Sequence, residues 1–244
     1  MLKVLVVAVA FAAAGCGITI RTGADPSAIS SLTQARLRSA LLGAADIGSD
    51  FVLSPSTGPG NYDTSCLSSM WTLVDPGAAA PVASTTRQIS AQPGYFPDVS
   101  QGLAVYATSR DAADVLSAYE RNTDSCDRTQ VRNGDSVTDY RVSIDEDRST
   151  LDVDQQLNVA EIGSVKYDGD KAVYPQSVWY TLMRIGPVLV MTAYDDSDTQ
   201  DYGSVNDLNG AVLARVLAVI DGHPVPPISP LGWTADQQGS DPKA

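Results

Sequence analysis

Two strand-like runs separated only by Gly186 and Pro187 constrain the fold more than any other stretch of the sequence. The segment QSVWYTLMRIGPVLVMTAY is rich in β-branched and aromatic residues on both sides of this pair, which is typical of strands. Because glycine adopts backbone angles that strain other residues, the pair fits a tight reversal of the chain. The sequence therefore predicts an antiparallel hairpin here.

Other short runs predict further strands. They are FVLS, CLSSMWTLV, STTRQISA, GLAVYAT and VTDYRVSI. The last run alternates with a period of two, which places Thr138, Tyr140, Val142 and Ile144 on one side and Val137, Asp139, Arg141 and Ser143 on the other. The alternation favours a strand.

Three amphipathic segments predict helices. In SRDAADVLSAYERNTDSC the apolar residues follow the i, i+3, i+4, i+7 spacing of one helix face: Ala112, Val115, Leu116 and Tyr119. Thr108 or Ser109 can cap its start, and Asp111 lies favourably in the first turn. TQARLRSALLGAADIG has helical spacing with interruptions at Gly43 and Gly48, and SVNDLNGAVLARVLAVIDG is the third segment.

Helices thus alternate with groups of strands, and hairpin turns take the place of long crossovers. This order predicts an α+β fold, a mainly antiparallel sheet covered by helices, in a single domain. We assign residues 34–222 to the domain, residues 16–33 to a flexible tether and residues 223–244 to a Pro-rich polar tail. The tail is predicted to be extended or disordered, with Trp233 as a residue that can dock back on the domain.

The first 15 residues predict a signal peptide. Lys3 precedes an apolar run, and small residues lead up to Cys16. This arrangement resembles the bacterial lipobox, in which the cysteine is acylated and becomes the mature amino terminus, with Ala13 where leucine is usual. The alternative is an uncleaved anchor, because the apolar character continues to Ile20 and approaches the ~18–20 residues needed to span a bilayer. We expect an extracytoplasmic lipoprotein anchored to the cell membrane through Cys16.

The cysteine count agrees with this compartment. Assigning Cys16 to the lipid leaves Cys66 and Cys126 of the three cysteines. In an oxidising envelope they are expected to form one disulfide, whose loop of about 60 residues contributes about 4 kcal/mol in the chain-entropy model. Two buried free thiols are the alternative. A metal site is disfavoured, because the only histidine, His223, lies far from both cysteines; we predict no metal and no cofactor.

The charge balance excludes one class of partner. With 16 Lys and Arg against 29 Asp and Glu, the formal net charge is -13. Such a field repels phosphate backbones, so nucleic acid is not an expected partner. It also repels acidic membrane headgroups, which leaves the lipid as the expected means of attachment.

The order of these features resembles the PknH-like extracellular sensor domain family and its actinobacterial lipoprotein members. The residues that carry the resemblance are ALLGAADIG, Cys66 followed by Leu67, the strand and helix of YATSRDAADVLSAYERNTDSC, the hairpin and the closing helix. It covers about Gln34 to Gly222. The resemblance implies a helix-backed antiparallel sheet with a cleft that receives a ligand, and it implies no catalytic residues.

A search for catalytic patterns agrees with a protein that is not an enzyme. His223 lies in the tail sequence HPVPP, where no packed site would hold it for a Ser-His-Asp mechanism, and no GxSxG elbow occurs. Paired carboxylates can hydrolyse glycosides without histidine. The acid-rich stretches IDEDRSTLDVD and AYDDSDTQDYG lie between predicted elements, however, and are expected to be solvated.

The second acid-rich stretch also comes close to a calcium loop. Asp196, Asp198 and Gln200 have the spacing of the first EF-hand ligands, but Asp201 replaces the required glycine. We predict an exposed acidic turn and leave a calcium contact open.

Five residues of the predicted sheet are candidates for ligand binding: Tyr140, Arg141, Trp179, Tyr180 and Arg184. Core packing is the alternative for the aromatic rings. For Arg184, on a mainly apolar side of its strand, three alternatives stay open: an internal partner, solvent at the sheet end, or an anionic ligand.

The sequence therefore favours a lipid-anchored, non-catalytic binding or sensor-like module. It would capture an envelope ligand or a partner protein in a sheet-lined cleft. The alternatives are a carboxylate-based hydrolase of envelope glycans and a structural scaffold without a small-molecule site.

Overall fold

The computed structural model describes residues 32–54, 67, 79–91, 95–145, 150–197 and 202–237. The predicted signal peptide, Cys16, Cys66 and all of CLSSMWTLV except Leu67 lie outside these ranges. Within them, no helix combines the length and the apolar character needed to cross a bilayer.

Four helices and ten strands make up the regular structure of the described residues. The helices are α1 (Gln34–Ala40), α2 (Ala44–Ile47), α3 (Ser109–Asp124) and α4 (Tyr202–Ile220). The strands are β1 (Val52–Leu53), β2 (Ala83–Ser90), β3 (Tyr95–Phe96), β4 (Asp98–Val105), β5 (Arg128–Asn133), β6 (Ser136–Ile144), β7 (Gln155–Tyr167), β8 (Tyr174–Ile185), β9 (Val188–Asp196) and β10 (Asp236–Gln237).

Eight of these strands form one antiparallel sheet, in the order β1-β2-β4-β9-β8-β7-β6-β5. The predicted hairpin is β8 and β9, near the middle of the sheet, and Gly186 turns it with a φ of 56°. Strands β3 and β10 form a separate short pair. The predicted antiparallel α+β fold is confirmed.

Helices cover both faces of the sheet. Helices α1 and α4 pack on one face, called here the α4 side, and α3 packs on the other, called the α3 side. Successive residues of β8 alternate between the two cores: Trp179 and Met183 lie on the α4 side, whereas Tyr180 and Leu182 lie on the α3 side. Strand β8 carries apolar residues on both of its faces because both faces are buried.

Helix α3 begins and packs as the sequence predicts. The hydroxyl of Thr108 accepts a hydrogen bond from the N–H of Asp111 (3.1 Å), and the Asp111 carboxylate accepts one from the N–H of Thr108 (3.0 Å). This reciprocal cap satisfies two backbone donors that the first helical turn leaves open. The predicted apolar face is buried at Ala112, Val115, Leu116 and Tyr119.

Polar side chains of the sheet and of α4 hold the two short helices in place. The predicted interruptions at Gly43 and Gly48 split this segment into helices of seven and four residues, too short to be stable alone. Arg87 donates to the carbonyl oxygens of Leu41 (2.8 Å) and Leu42 (3.0 Å). On the other side, Arg215 of α4 pairs with Asp46 at 2.7 Å.

A buried polar chain ties α4 to the sheet. The hydroxyl of Thr192 donates to the side-chain oxygen of Asn209, whose amide nitrogen donates to the hydroxyl of Thr181 at 2.9 Å. All three residues are almost fully buried. Because each group finds a partner, this chain fixes how α4 lies on the sheet without a large desolvation cost.

The described part of the tail packs on the domain. The N–H of Trp233 donates to the carbonyl oxygen of Ile47 (3.1 Å), and the Trp233 ring lies 5.2 Å from the ring of Tyr194. The predicted docking of Trp233 is confirmed.

Cys126 lies just past α3 and is 4% exposed. Leu67, the neighbour of Cys66 in the chain, packs in the same core cluster. Since Cys66 is outside the described residues, its pairing with Cys126 stays a prediction.

The packing of the β6–β7 pair predicts opposite effects for two glycine substitutions. A methyl group at Gly163 would overlap the carbonyl oxygen of Asp139 and lie 2.9 Å from the Cα of Tyr140, so we expect Gly163→Ala to lower the free energy of unfolding by about 1–3 kcal/mol. Gly210 is exposed in α4 and has nothing within 4 Å. Gly210→Ala should raise that free energy by about 0.5–1 kcal/mol.

Urea denaturation of both variants checks this pair. A Gly163→Ala protein as stable as the wild type would show that β6 and β7 are not as close as described.

Candidate ligand-binding site

The aromatic candidates from the sequence do not share one cleft. Tyr140 and Tyr180 lie on the α3 side with 5% and 2% exposure, whereas Trp179 lies on the α4 side with 1% exposure. The indole N–H of Trp179 donates to the hydroxyl of Ser177 at 3.1 Å. All three rings therefore contribute to the two cores.

Arg184 pairs internally, which was one of the three alternatives left open by the sequence. Its guanidinium lies 3.1 Å from the carboxylate of Asp154 and donates to the side-chain oxygen of Gln155 at 2.6 Å. The same guanidinium donates to the carbonyl oxygen of Gly186. These contacts close the hairpin end of the sheet.

Arg141 is exposed on the α4 side, directly opposite Arg128 of the neighbouring strand. Tyr140 and Arg141 therefore point to opposite faces of β6. Arg128 was not singled out in the sequence, because only the pairing of β5 with β6 brings it next to Arg141.

At the opposite end of the sheet from Gly186, three carboxyl groups converge on the α3 side. We call Asp98, Glu161 and Asp195 the carboxyl cluster. Asp98 and Asp195 are direct cross-strand partners, and Val178 separates Asp195 from Glu161 in the same row. Like charges in directly opposed positions destabilise a sheet, so this arrangement is costly if both groups ionise.

Neutral side chains donate hydrogen bonds to Asp195 and Glu161 of this cluster. The amide of Gln176 donates to both carboxyl oxygens of Asp195, at 3.0 and 3.3 Å. The hydroxyl of Tyr180 donates to Glu161 at 3.0 Å, so one of the predicted aromatic candidates borders the cluster. Neither Asp98 nor Asp195 forms an ion pair with a described residue.

Burial raises the pKa of both opposed aspartates. The pKa of Asp98 is raised by burial, and a hydrogen bond from Ser90 partly offsets the rise. Burial raises the pKa of Asp195 well above its usual range, the hydrogen bond from Gln176 opposes the rise, and the charges of Asp98, Asp196 and Glu161 add to it. The cluster therefore favours a protonated carboxyl beside an ionised one.

The sequence predicts that the acid-rich stretch AYDDSDTQDYG is a solvated loop, and this is wrong for its first two acids. Asp195 and Asp196 are the last residues of β9 and are half-buried. The Asp196 carboxylate accepts hydrogen bonds from the Tyr194 hydroxyl (2.8 Å) and the Ser197 N–H (2.6 Å). Strand β9 continues past Tyr194, where the predicted strand ends, because β8 and β4 pair with it on both sides.

The remaining calcium-loop candidates, Asp198 and Gln200, lie outside the described residues. Within the described ranges, no group of three His, Cys, Asp or Glu side chains is arranged to hold a metal ion. The chemistry available to the carboxyl cluster is hydrogen bonding: a protonated carboxyl donates, an ionised carboxyl accepts, and Gln176 does both. Carboxyl groups that lie together and have perturbed pKa values are typical of functional sites.

The carboxyl cluster predicts an unusual dependence of stability on pH. Because the folded pKa of Asp195 is raised, the folded protein holds a proton that the unfolded chain releases above about pH 4. The free energy of unfolding should therefore fall as the pH rises from about 4 through the raised pKa. Asp195→Asn removes this ionisation and should raise the free energy of unfolding at neutral pH relative to the wild type.

Denaturation curves between about pH 4 and pH 8 test the claim. Asp207→Asn, at an exposed carboxylate of α4, is the matched control. Parallel pH profiles for wild type and Asp195→Asn would contradict it.

The fold is similar to the crystal structure of the extracellular domain of PknH from Mycobacterium tuberculosis. The two superpose with a TM-score of 0.52 at 10% sequence identity, over 78% of this chain and 95% of that domain. No protein-family model matches the sequence, and no curated protein matches it. The likeness is one of fold, and it agrees with the fold that the sequence features implied.

Proposed function

We propose that this protein is an extracytoplasmic, sensor-like binding module, held at the cell membrane by a lipid on Cys16. The apolar leader that ends in small residues before Cys16 supports the anchor. The fold likeness to the PknH extracellular domain supports the sensor-like role, since it extends over nearly all of that domain. The module is non-catalytic in this proposal.

The carboxyl cluster is the proposed ligand contact, and one observation carries the assignment. Asp98 and Asp195 are opposed, desolvated and without a cation among the described residues. This arrangement lowers stability, and local features that lower stability are typical of functional sites. A ligand with hydroxyl or amine groups would satisfy both carboxyls, which suits an envelope glycan or a polar lipid headgroup.

A disulfide between Cys66 and Cys126 is part of the same proposal. What supports it is that Leu67, which follows Cys66 directly in the chain, packs in the core cluster that contains Cys126. Such a bond would connect the end of α3 to the segment before β2 and so brace the α3 side of the sheet.

Native purification tests the ligand contact. We expect the protein isolated from its envelope to carry a bound polar lipid or glycan, identified by mass spectrometry, and Asp98→Asn/Asp195→Asn to lose it. The double variant keeps the shape of both side chains and should be at least as stable as the wild type, so the loss would not reflect unfolding. Asp207→Asn/Asp221→Asn, with the same change of charge at exposed positions, should retain the ligand.

Equal recovery of the bound molecule from both double variants would place the ligand elsewhere. A wild type that carries no molecule would favour the scaffold.

Mass spectrometry of the mature protein tests the anchor and the disulfide. We expect an acylated Cys16 as the first residue and a Cys66–Cys126 cross-linked peptide that reduction separates. Loss of the cross-link should lower the free energy of unfolding by about 4 kcal/mol. An unprocessed Met1 would refute the lipid anchor. Two alkylatable thiols in the native protein would refute the disulfide.

A carboxylate hydrolase is the second candidate function. The observation that favours it is the neighbouring pair Asp98 and Asp195, in which burial raises both pKa values and that of Asp195 the more. A protonated Asp195 and an ionised Asp98 would match the acid and base of glycoside hydrolysis. Turnover of an envelope glycan by the wild type, absent in the double variant, would favour the hydrolase over the binding module.

A further inference from the structure

The α4 side of strands β5, β6 and β7 presents an exposed polar surface beside the helices. We call it the open sheet face. Its described members alternate with the buried residues of the α3 side: Arg128, Gln130, Arg132, Val137, Asp139, Arg141, Ile162, Ser164 and Lys166. Helix α4 covers the neighbouring strands β8 and β9 on the same side.

The cations of this face form two rows across the strands. Arg128 and Arg141 are direct partners, with Ile162 next to them in β7. Four residues further along the strands, about 13 Å away, Arg132 and Lys166 flank Val137. The two rows concentrate positive charge in a chain whose formal net charge is -13.

This placement of charge does not serve the stability of the sheet. Like charges directly opposed on neighbouring strands are destabilising, and neither Arg128 nor Arg141 forms an ion pair with a described residue. Lys166 also makes none within the described ranges, whereas Arg132 contacts Asp168 at 3.4 Å. By contrast, the partly buried Arg184 and Arg215 pair with aspartates, and the partly buried Arg87 donates to backbone carbonyl oxygens.

A row of neutral and acidic hydrogen-bonding groups separates the two cation rows. It consists of Gln130, Asp139 and Ser164, and Gln130 donates to the Asp139 carboxylate at 2.8 Å. In a ligand with closely spaced negative charges, a negative group would lie against Asp139 and be repelled. In a ligand whose charges are separated by hydroxyl-bearing units, a hydroxyl would lie there and donate to the Asp139 carboxylate.

The shape of the face favours a narrow ligand. Helix α4 stands above the sheet by about the diameter of a helix, ~10 Å, so a planar surface such as a membrane would meet the helix first. A single polymer chain can reach the strands beside it. The exposed Ile162 lies between the cations and the edge of the helix layer, where the apolar face of a sugar ring can pack.

We propose that the open sheet face binds an anionic glycan in which charged sugars are separated by neutral ones. Arg128 and Arg141 hold one anionic group together, since each guanidinium can donate two parallel hydrogen bonds. Arg132 and Lys166 hold the next, and Gln130, Asp139 and Ser164 contact the hydroxyls between them. This site goes beyond the proposed function, because it lies on the opposite side of the sheet from the carboxyl cluster and does not depend on the lipid anchor.

Titration of the full-length protein in neutral detergent with a hyaluronan oligosaccharide tests the site. This probe carries one carboxylate per disaccharide, and a neutral oligosaccharide of the same length is the reference. We expect hyaluronan to bind, and Arg128→Gln/Arg141→Gln to weaken binding by about tenfold. The slope of log affinity against log salt should also become shallower by about two.

The matched control is Arg110→Gln/Arg121→Gln on α3, where both arginines are exposed and the net charge changes equally. Its affinity should stay within twofold of the wild type. Equal loss in both double variants, or no binding by the wild type, would overturn the proposal.

Two further arms exclude other occupants. Poly-glutamate of the same charge should bind more weakly than hyaluronan. Asp139→Asn should reduce the difference in affinity between the two probes. Tighter binding of poly-glutamate by the wild type would assign the face to an acidic protein. In reconstituted vesicles, hyaluronan binding that disappears with phosphatidylglycerol but not with phosphatidylcholine would assign it to the membrane.

Discussion

Burial of β8 and β9 on both faces is the constraint on which the rest of the structure depends. These central strands present mainly apolar residues to both faces of the sheet, so each face needs its own covering layer. Helix α3 covers one face and α4, with α1, covers the other. The β8–β9 hairpin therefore contributes to both hydrophobic cores, and burial in these two cores stabilises the fold. The outer strands and the short helices pack around the hairpin.

Polar groups inside this framework fall into two kinds. The chain from Thr181 through Asn209 to Thr192 is matched donor to acceptor, so it positions α4 without leaving a group unpaired. The opposed Asp98 and Asp195 have no such complementarity, and burial raises the pKa of both. The first kind stabilises the fold. The second is the feature for which we propose a ligand contact.

The two charged regions of the sheet lie on opposite faces and have opposite sign. The carboxyl cluster lies at one end of the α3 side, where Asp98 and Asp195 are half-buried and Glu161 is buried. The open sheet face is exposed and cationic, beside the helix layer of the α4 side. A chain with a large negative net charge thus has one region suited to hydroxyls or amines and a separate one suited to anions.

The sequence by itself determined the local elements and the side on which their residues lie. The alternation in β6, the reversal at Gly186, the cap at Thr108 and the apolar face of α3 were all predictable, because each depends on neighbours a few residues apart. Only the tertiary structure decided which strands are adjacent. Strand order makes Asp98 the partner of Asp195 and Arg128 the partner of Arg141, although 97 residues separate the aspartates in the chain. Burial, pKa shifts and charge repulsion depend on those distant pairings, so a local pattern could name Arg141 and Tyr180 but not the groups beside them.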